Sequence, residues 1–196
     1  MPLNTNLVEQ LAEWCWKSDT LANVRAAARR DFFGYDEPSE VHYMEGAGDV
    51  TSRERRFLGW FTLAYKLPDG RCPAELAATA ILGSGELTSA IDSIRNSRFV
   101  LAMVAMVNPG RGLIFRLHDE EFAVDNRQLS HIFSRDDALC AHIIPAGRPG
   151  WLVGPGWLSW PVRIMPAMQA MLKDFQLTPI DLERFLQQRK DTTKKV

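Results

Sequence analysis

The sequence predicts an α+β protein with N-terminal helices, a central small antiparallel β-sheet or barrel, and C-terminal helices. Three observations predict it. Over 6–30, and again over 51–95 with turns between, apolar residues recur at helical spacing. From Phe99 they come instead in short runs separated by glycine, proline and asparagine, the pattern of strands joined by turns. After Pro161 helical spacing returns. The chain thus divides into a helical region (1–97), a small β domain (98–162), and C-terminal helices with a basic tail (163–196), three parts that are also able to pack as one compact unit.

Composition narrows the class. Apolar residues make up 46% and charged residues 24% of the 196, values of a folded globular chain that exclude wholesale disorder and a coiled-coil composition. Lys plus Arg (23) nearly balances Asp plus Glu (24), so the global basic excess of a nucleic-acid-coating protein is missing. That balance is an average, with acids gathered between Asp31 and Asp49 and bases on two helices and the tail. Met1 to Asn6 has no basic region leading into an apolar one, and the longest apolar run, Phe99 to Val107, is too short for a membrane helix. A cytoplasmic protein with no membrane association is expected. Cys15, Cys72 and Cys140 are widely spaced with no CxxC pair, so the sequence encodes neither a disulfide framework nor a cysteine zinc site, and no metal or cofactor is expected.

Taken in order, Leu7, Val8, Leu11, Trp14, Leu21, Val24 and Ala28 predict one long helix over 6–30, or two broken near Ser18-Asp19-Thr20. Residues 31–50 carry glycines, a proline and acids without a period, and read as a connecting segment. Thr51-Ser52-Arg53-Glu54 resembles a capping box that starts a helix with Phe57, Leu58, Trp60, Phe61 and Ala64 inward. Leu67-Pro68-Asp69-Gly70 is a turn, Pro73 opens an alanine-rich helix to Leu82, and Glu86–Arg95 forms another. Strands follow at 99–107, 112–117, 121–125 and 139–145, with a glycine-punctuated fifth over 151–153 and 157–161. Helices close the chain over 166–175 and from Pro179, with Thr178 as N-cap, to about Gln188.

Arg56-Phe57-Leu58-Gly59-Trp60-Phe61, with Tyr65-Lys66-Leu67-Pro68-Asp69-Gly70-Arg71-Cys72-Pro73-Ala74-Glu75-Leu76, resembles a segment of uncharacterised bacterial proteins, some of which bear a C-terminal SEC-C zinc motif. The resemblance spans roughly 54–161 and implies a helix ending in an aromatic and a Leu-Pro-Asp-Gly turn ahead of a small β domain. The terminal cysteine cluster is absent here, so no zinc site is carried over.

Chemistry is carried by three groups of residues. Dinucleotide, P-loop, zincin and α/β-hydrolase motifs are all absent. The stretch from Ser130 to His142 places His131, Asp136, Asp137, Cys140 and His142 close in sequence, enough for a base, an orienting acid and a nucleophile, although Asp136-Asp137 also suits a plain turn and His142 a core position. His118 with the acids at 119–121 could hold a hard metal but equally forms a solvated turn. Arg25 and Arg29, one turn apart, together with Arg53, Arg55 and Arg56, could meet nucleic acid, with Trp151, Trp157 and Trp160 as stacking platforms. Six tryptophans and a Met165, Met168, Met171 stripe instead suggest packing or docking, and Trp14 and Trp16, two positions apart on a helix, should not both face one side. The leading expectation is a non-catalytic cytoplasmic interaction or scaffold protein that docks a protein partner or itself through Trp14, Trp16, Trp151, Trp157 and Met168. Two alternatives stay open: a nucleic-acid-binding accessory protein using Arg25 and Arg29, and a hydrolase or transferase using the 131–142 cluster.

Overall fold

The computed structural model describes residues 3–34, 52–117, 119–147, 150–160 and 178–184. The segment beyond Gly34, the Thr51 cap, His118, the helix expected over 166–175 with Met165, Met168 and Met171, and the basic tail lie outside them.

Helices come first, as the spacing predicts. The N-terminal pattern is two helices, α1 (Thr5–Lys17) and α2 (Ala22–Phe33), broken by a 3-10 turn over Asp19–Leu21. Asn4 caps α1 by accepting the Leu7 N–H at 2.9 Å, and Gly34, at φ +77°, ends α2 in the left-handed conformation that glycine adopts without strain. α3 (Ser52–Leu63), α4 (Pro73–Ile81) and α5 (Ser84–Arg95) follow. Glu75 reaches back to accept the Cys72 N–H at 2.9 Å, which fixes the start of α4. The helical core is aromatic: Phe57 stacks on Phe61 at 5.7 Å and meets Phe32 edge-on at 5.6 Å.

The strands are β1 (Arg98–Asn108), β2 (Gly112–Leu117), β3 (Glu120–Val124), β4 (Ala138–Pro145), β5 (Trp151–Val153) and β6 (Leu158–Trp160), with a short helix α6 (Leu129–Ile132) between β3 and β4. The first three form a meander, and β1 then turns its other edge to β4, pairing Arg98 with Ile143 through Met103 with Ala138. β5 pairs antiparallel with β4 and parallel with β3 at Val124 and Trp151, which closes the ring β1-β2-β3-β5-β4-β1. β6 continues along the same edge of β4 as β5, so the two are one strand interrupted at 154–157. The predicted antiparallel sheet or barrel is therefore a closed barrel containing one parallel contact. A five-stranded ring of this order with a helix between its third and fourth strands has the connectivity of the OB barrel. α6 is missing from the sequence reading because a four-residue helix has no room for a period. It plugs one end of the barrel with Leu129, beside Phe133 and over Phe115.

β4 joins the two halves. Leu139, Ala141 and Ile143 point into the barrel, whereas Ile144 belongs to the helical core and Cys140 to a third cluster with Leu182. α3 lies directly on the β5–β6 interruption: a Cβ on Gly59 would come within 2.2 Å of the Pro155 carbonyl oxygen, and one on Gly156 within 2.1 Å of the Arg55 carbonyl oxygen. The helical region and the barrel thus share one packed interface. Glycine to alanine at an exposed mid-helix position normally stabilises by about 1 kcal/mol. At Gly59 the sign should reverse, with Gly59→Ala costing about 2–3 kcal/mol through overpacking, read as a lower urea midpoint at unchanged slope.

Candidate functional site

The polar cluster at 130–142 does not assemble. Its residues are distributed among the plug helix, a turn and a buried strand. The Ser130 hydroxyl donates to the Arg127 carbonyl oxygen at 2.7 Å and accepts the Gly110 N–H at 3.0 Å, tying α6 to the β1–β2 turn. His131 is exposed on α6. Asp136, at φ +70°, and Asp137 form the turn into β4: the Asp136 N–H donates to the Val104 carbonyl at 2.9 Å, and the Asp137 carboxylate accepts the Ser134 N–H at 2.7 Å.

His142 points away from the barrel interior, as strand alternation predicts, and is 4% exposed. Its ring lies tilted against Phe99, its register partner on β1, at 5.0 Å, and its Cβ faces Gly154. Neither ring nitrogen has a hydrogen-bond partner. Burial alone depresses its pKa from 6.5 to about 4, so it is a neutral core histidine separated from solvent and from His131's exposed position. Burial likewise pushes the Cys15 thiol up to about 12 and Cys72 to about 11, and raises Cys140, leaving all three as poor nucleophiles.

Of the arginines considered for nucleic acid, Arg25, Arg29, Arg53 and Arg56 are engaged inside the fold, and Arg55 is half-buried. Arg25 donates to the carbonyls of Cys15 and Ser18 at 3.1 and 3.3 Å and lies over the Trp16 ring. Arg29 grips both oxygens of the buried Glu54 at 2.5 and 2.9 Å and stacks on Phe33. Arg53 and Arg56 converge on the buried Glu183. Trp14 and Trp16 are both half-buried and pack against the helical core. The 3-10 break redirects the chain, and Trp16 closes against Phe57 at 6.5 Å and Arg25. Trp151 and Trp157 are also half-buried, edge-on to Phe122 at 5.1 Å and tilted on Phe133 at 5.4 Å. All four tryptophans are lids on the cores, leaving an amphipathic edge to solvent.

Sequence reasoning missed a different surface. β1 changes parity at a bulge between Val104 and Met106: Val104 opposes Phe115 inside the barrel, and Met106 opposes Ile114 outside it. Without the bulge Met106 would point inward. It is instead 50% exposed. Ile114 in turn opposes Ala123, so Met106, Ile114 and Ala123 form an apolar row across three strands. The neighbouring row is Met103, Arg116 and Glu121. The bulge has no sequence signature, because Val104-Ala105-Met106-Val107 is uniformly apolar. An open groove of about 470 Å³ runs elsewhere, between the Thr88, Asp92 and Asn96 side of α5 and the Pro145–Gly147 end of β4.

Among the described residues no three His, Cys, Asp or Glu side chains converge as a metal would require, and no helix is long and apolar enough to cross a membrane. No family model, curated protein or solved structure matches the chain.

Two measurements separate structural from functional roles. Between pH 6.5 and 4 the unfolded chain protonates His142 while the folded chain does not, so stability falls as pH drops through that window, by about 3 kcal/mol in all. His142→Leu should flatten that part of a stability–pH profile with little change at pH 7, since it leaves no ring nitrogen unpaired. Arg29→Ala removes both hydrogen bonds to the buried Glu54 carboxylate and the ring contact with Phe33, and should cost about 1.5–3 kcal/mol in denaturant unfolding, where a surface nucleic-acid contact would cost almost nothing.

Proposed function

We infer that the chain is a non-catalytic interaction protein that docks a protein partner through the outer face of its barrel. The observation that carries the reading is Met106, held half-exposed by a bulge at the end of an apolar row. A flexible thioether continued across the sheet by Ile114 and then Ala123, with Arg116 and Glu121 alongside, has the make-up of an interface core with a polar rim. The dispersal of His131, Asp136, Asp137 and His142 supports a binding role over hydrolase or transferase chemistry.

Nucleic acid is the second reading, favoured by the OB connectivity, which is an argument from fold alone. Two features weigh against it. Residues 98–160 contain six arginines and six carboxylates, counted along the sequence, so the barrel has no basic excess to meet phosphates. The apolar row itself carries no aromatic ring on which a base would stack.

Met106→Glu tests the reading. The substitution sits on the surface and should change stability by less than about 0.5 kcal/mol. It should abolish capture of the partner recovered with wild-type protein, or dissociate a homodimer seen by light scattering. Unchanged capture by the variant rejects this face. Binding to a labelled oligonucleotide that weakens steeply with salt, and that Arg111→Ala with Arg116→Ala removes, would instead establish the nucleic-acid reading.

A further inference from the structure

The outer face of β1–β3 carries one cation and one anion beside its apolar row. Arg116 and Glu121 are both exposed and stand opposite each other on β2 and β3, and among the described residues neither side chain forms a hydrogen bond or ion pair. Elsewhere in the fold Arg29, Arg56, Arg95 and Arg98 each hold a carboxylate of the same chain. Arg116 and Ile114 take successive outward positions on β2, and Glu121 and Ala123 do the same on β3. The result is a four-residue patch, Arg116 beside Glu121 in one row and Ile114 beside Ala123 in the next, with Met106 continuing the second row onto β1.

Such a patch is complementary to itself under one symmetry. A two-fold axis that runs along the strands, between β2 and β3, exchanges those two strands across an interface. It sets Arg116 of each copy against Glu121 of the other, and Ile114 of each against the other's Ala123. Met106, one strand farther from the axis, then reaches over the outer edge of the second copy's β3. That edge is bare over 120–123, since among the described residues β3 meets β5 only at Val124 and Trp151. Other axes lose the match. One over β2 brings Arg116 onto its own copy, and one across the strands at Ile114 places Arg116 against Gly112, which offers no charge.

We propose that the partner docked by the Met106 face is a second copy of this chain, held in a two-fold dimer by reciprocal Arg116–Glu121 pairs beside the Ile114–Ala123 contacts. The inference rests on the reading of this face as a docking surface and adds the identity of what docks. A face with one charge of each sign suits a copy of itself, whereas a partner of single-sign charge would be repelled by one of the two. Three strands about 4.8 Å apart make a narrow face, smaller than the roughly 800 Å² per partner of a standard interface, so the dimer is weak and reversible.

Sedimentation equilibrium of the full chain tests this. The wild type should show a monomer–dimer equilibrium that weakens with salt. Arg116→Glu alone and Glu121→Arg alone should each raise the dissociation constant at least about tenfold, because each turns two attractive pairs into two repulsive ones. An equimolar mixture of the two variants should regain the dimer, since every 116–121 contact between unlike chains then joins opposite charges. Recovery on mixing is a readout that misfolding cannot give. A wild type that stays monomeric at concentrations on the order of 100 μM overturns the inference. So does a dimer whose single variants assemble like the wild type, or whose mixed variants fail to recover it. If the wild type is monomeric but Met106→Glu still abolishes capture of another protein, the second copy is overturned and the docking reading stands. A dimer indifferent to Met106→Glu and to both charge variants overturns both.

Discussion

β4 is packed on both sides, and the rest of the architecture depends on that. One side of the strand closes the barrel through Leu139, Ala141 and Ile143, while the other gives Ile144 to the helical core and Cys140 to the seat of Leu182. A strand buried twice must be apolar throughout, which is why 138–145 reads as a continuous run rather than an alternation. It also leaves no room for polar chemistry. A histidine in such a strand is either hydrogen-bonded or neutral, and His142 is neutral, tilted against Phe99 with both nitrogens unpaired. The same double burial joins helical region and barrel, since neither could expose its side of β4 without uncovering a core.

Charge is arranged around this apolar centre as local clamps. Arg29 with Glu54 joins α2 to α3, Arg53 and Arg56 with Glu183 join α3 to the 178–184 segment, and Arg95 with Glu75 joins α5 to α4. In each clamp the carboxylate is buried, and in several an arginine also covers an aromatic ring, as Arg53 does over Phe33 at 4.4 Å. Such pairs add modest net stability but penalise misalignment heavily, because displacing one partner leaves the other charge buried. They therefore fix the relative placement of the helices. They also hold Arg29, Arg53 and Arg56 against buried carboxylates, so these arginines add little to the basic surface.

What was legible in the sequence follows from the range of the forces involved. The break near Asp19, the Leu67–Gly70 turn, the Thr178 cap and the strand runs of the barrel are set by residues within a few positions of one another, and each is found where local propensity puts it. The turn at Asp136-Asp137 was also legible, since short acids bond their own backbone. The candidate site was not. Met106 faces outward because of a bulge whose position depends on how β1 meets both β2 and β4, and the apolar run 104–107 is silent about it. Glu183 finds Arg56 across 127 residues, a pairing that periodicity cannot encode.

By itself, then, the sequence determined an α+β chain, its turns and caps, and the absence of the standard catalytic motifs, all consequences of local backbone preference and residue chemistry. Only the tertiary structure decided that the strands close into a ring with β3 parallel to β5, that the tryptophans serve as lids, that the arginines turn inward, and that the polar cluster from His131 to His142 disperses. These outcomes rest on contacts between residues distant along the chain, where burial and desolvation are settled jointly by every element that packs against the site.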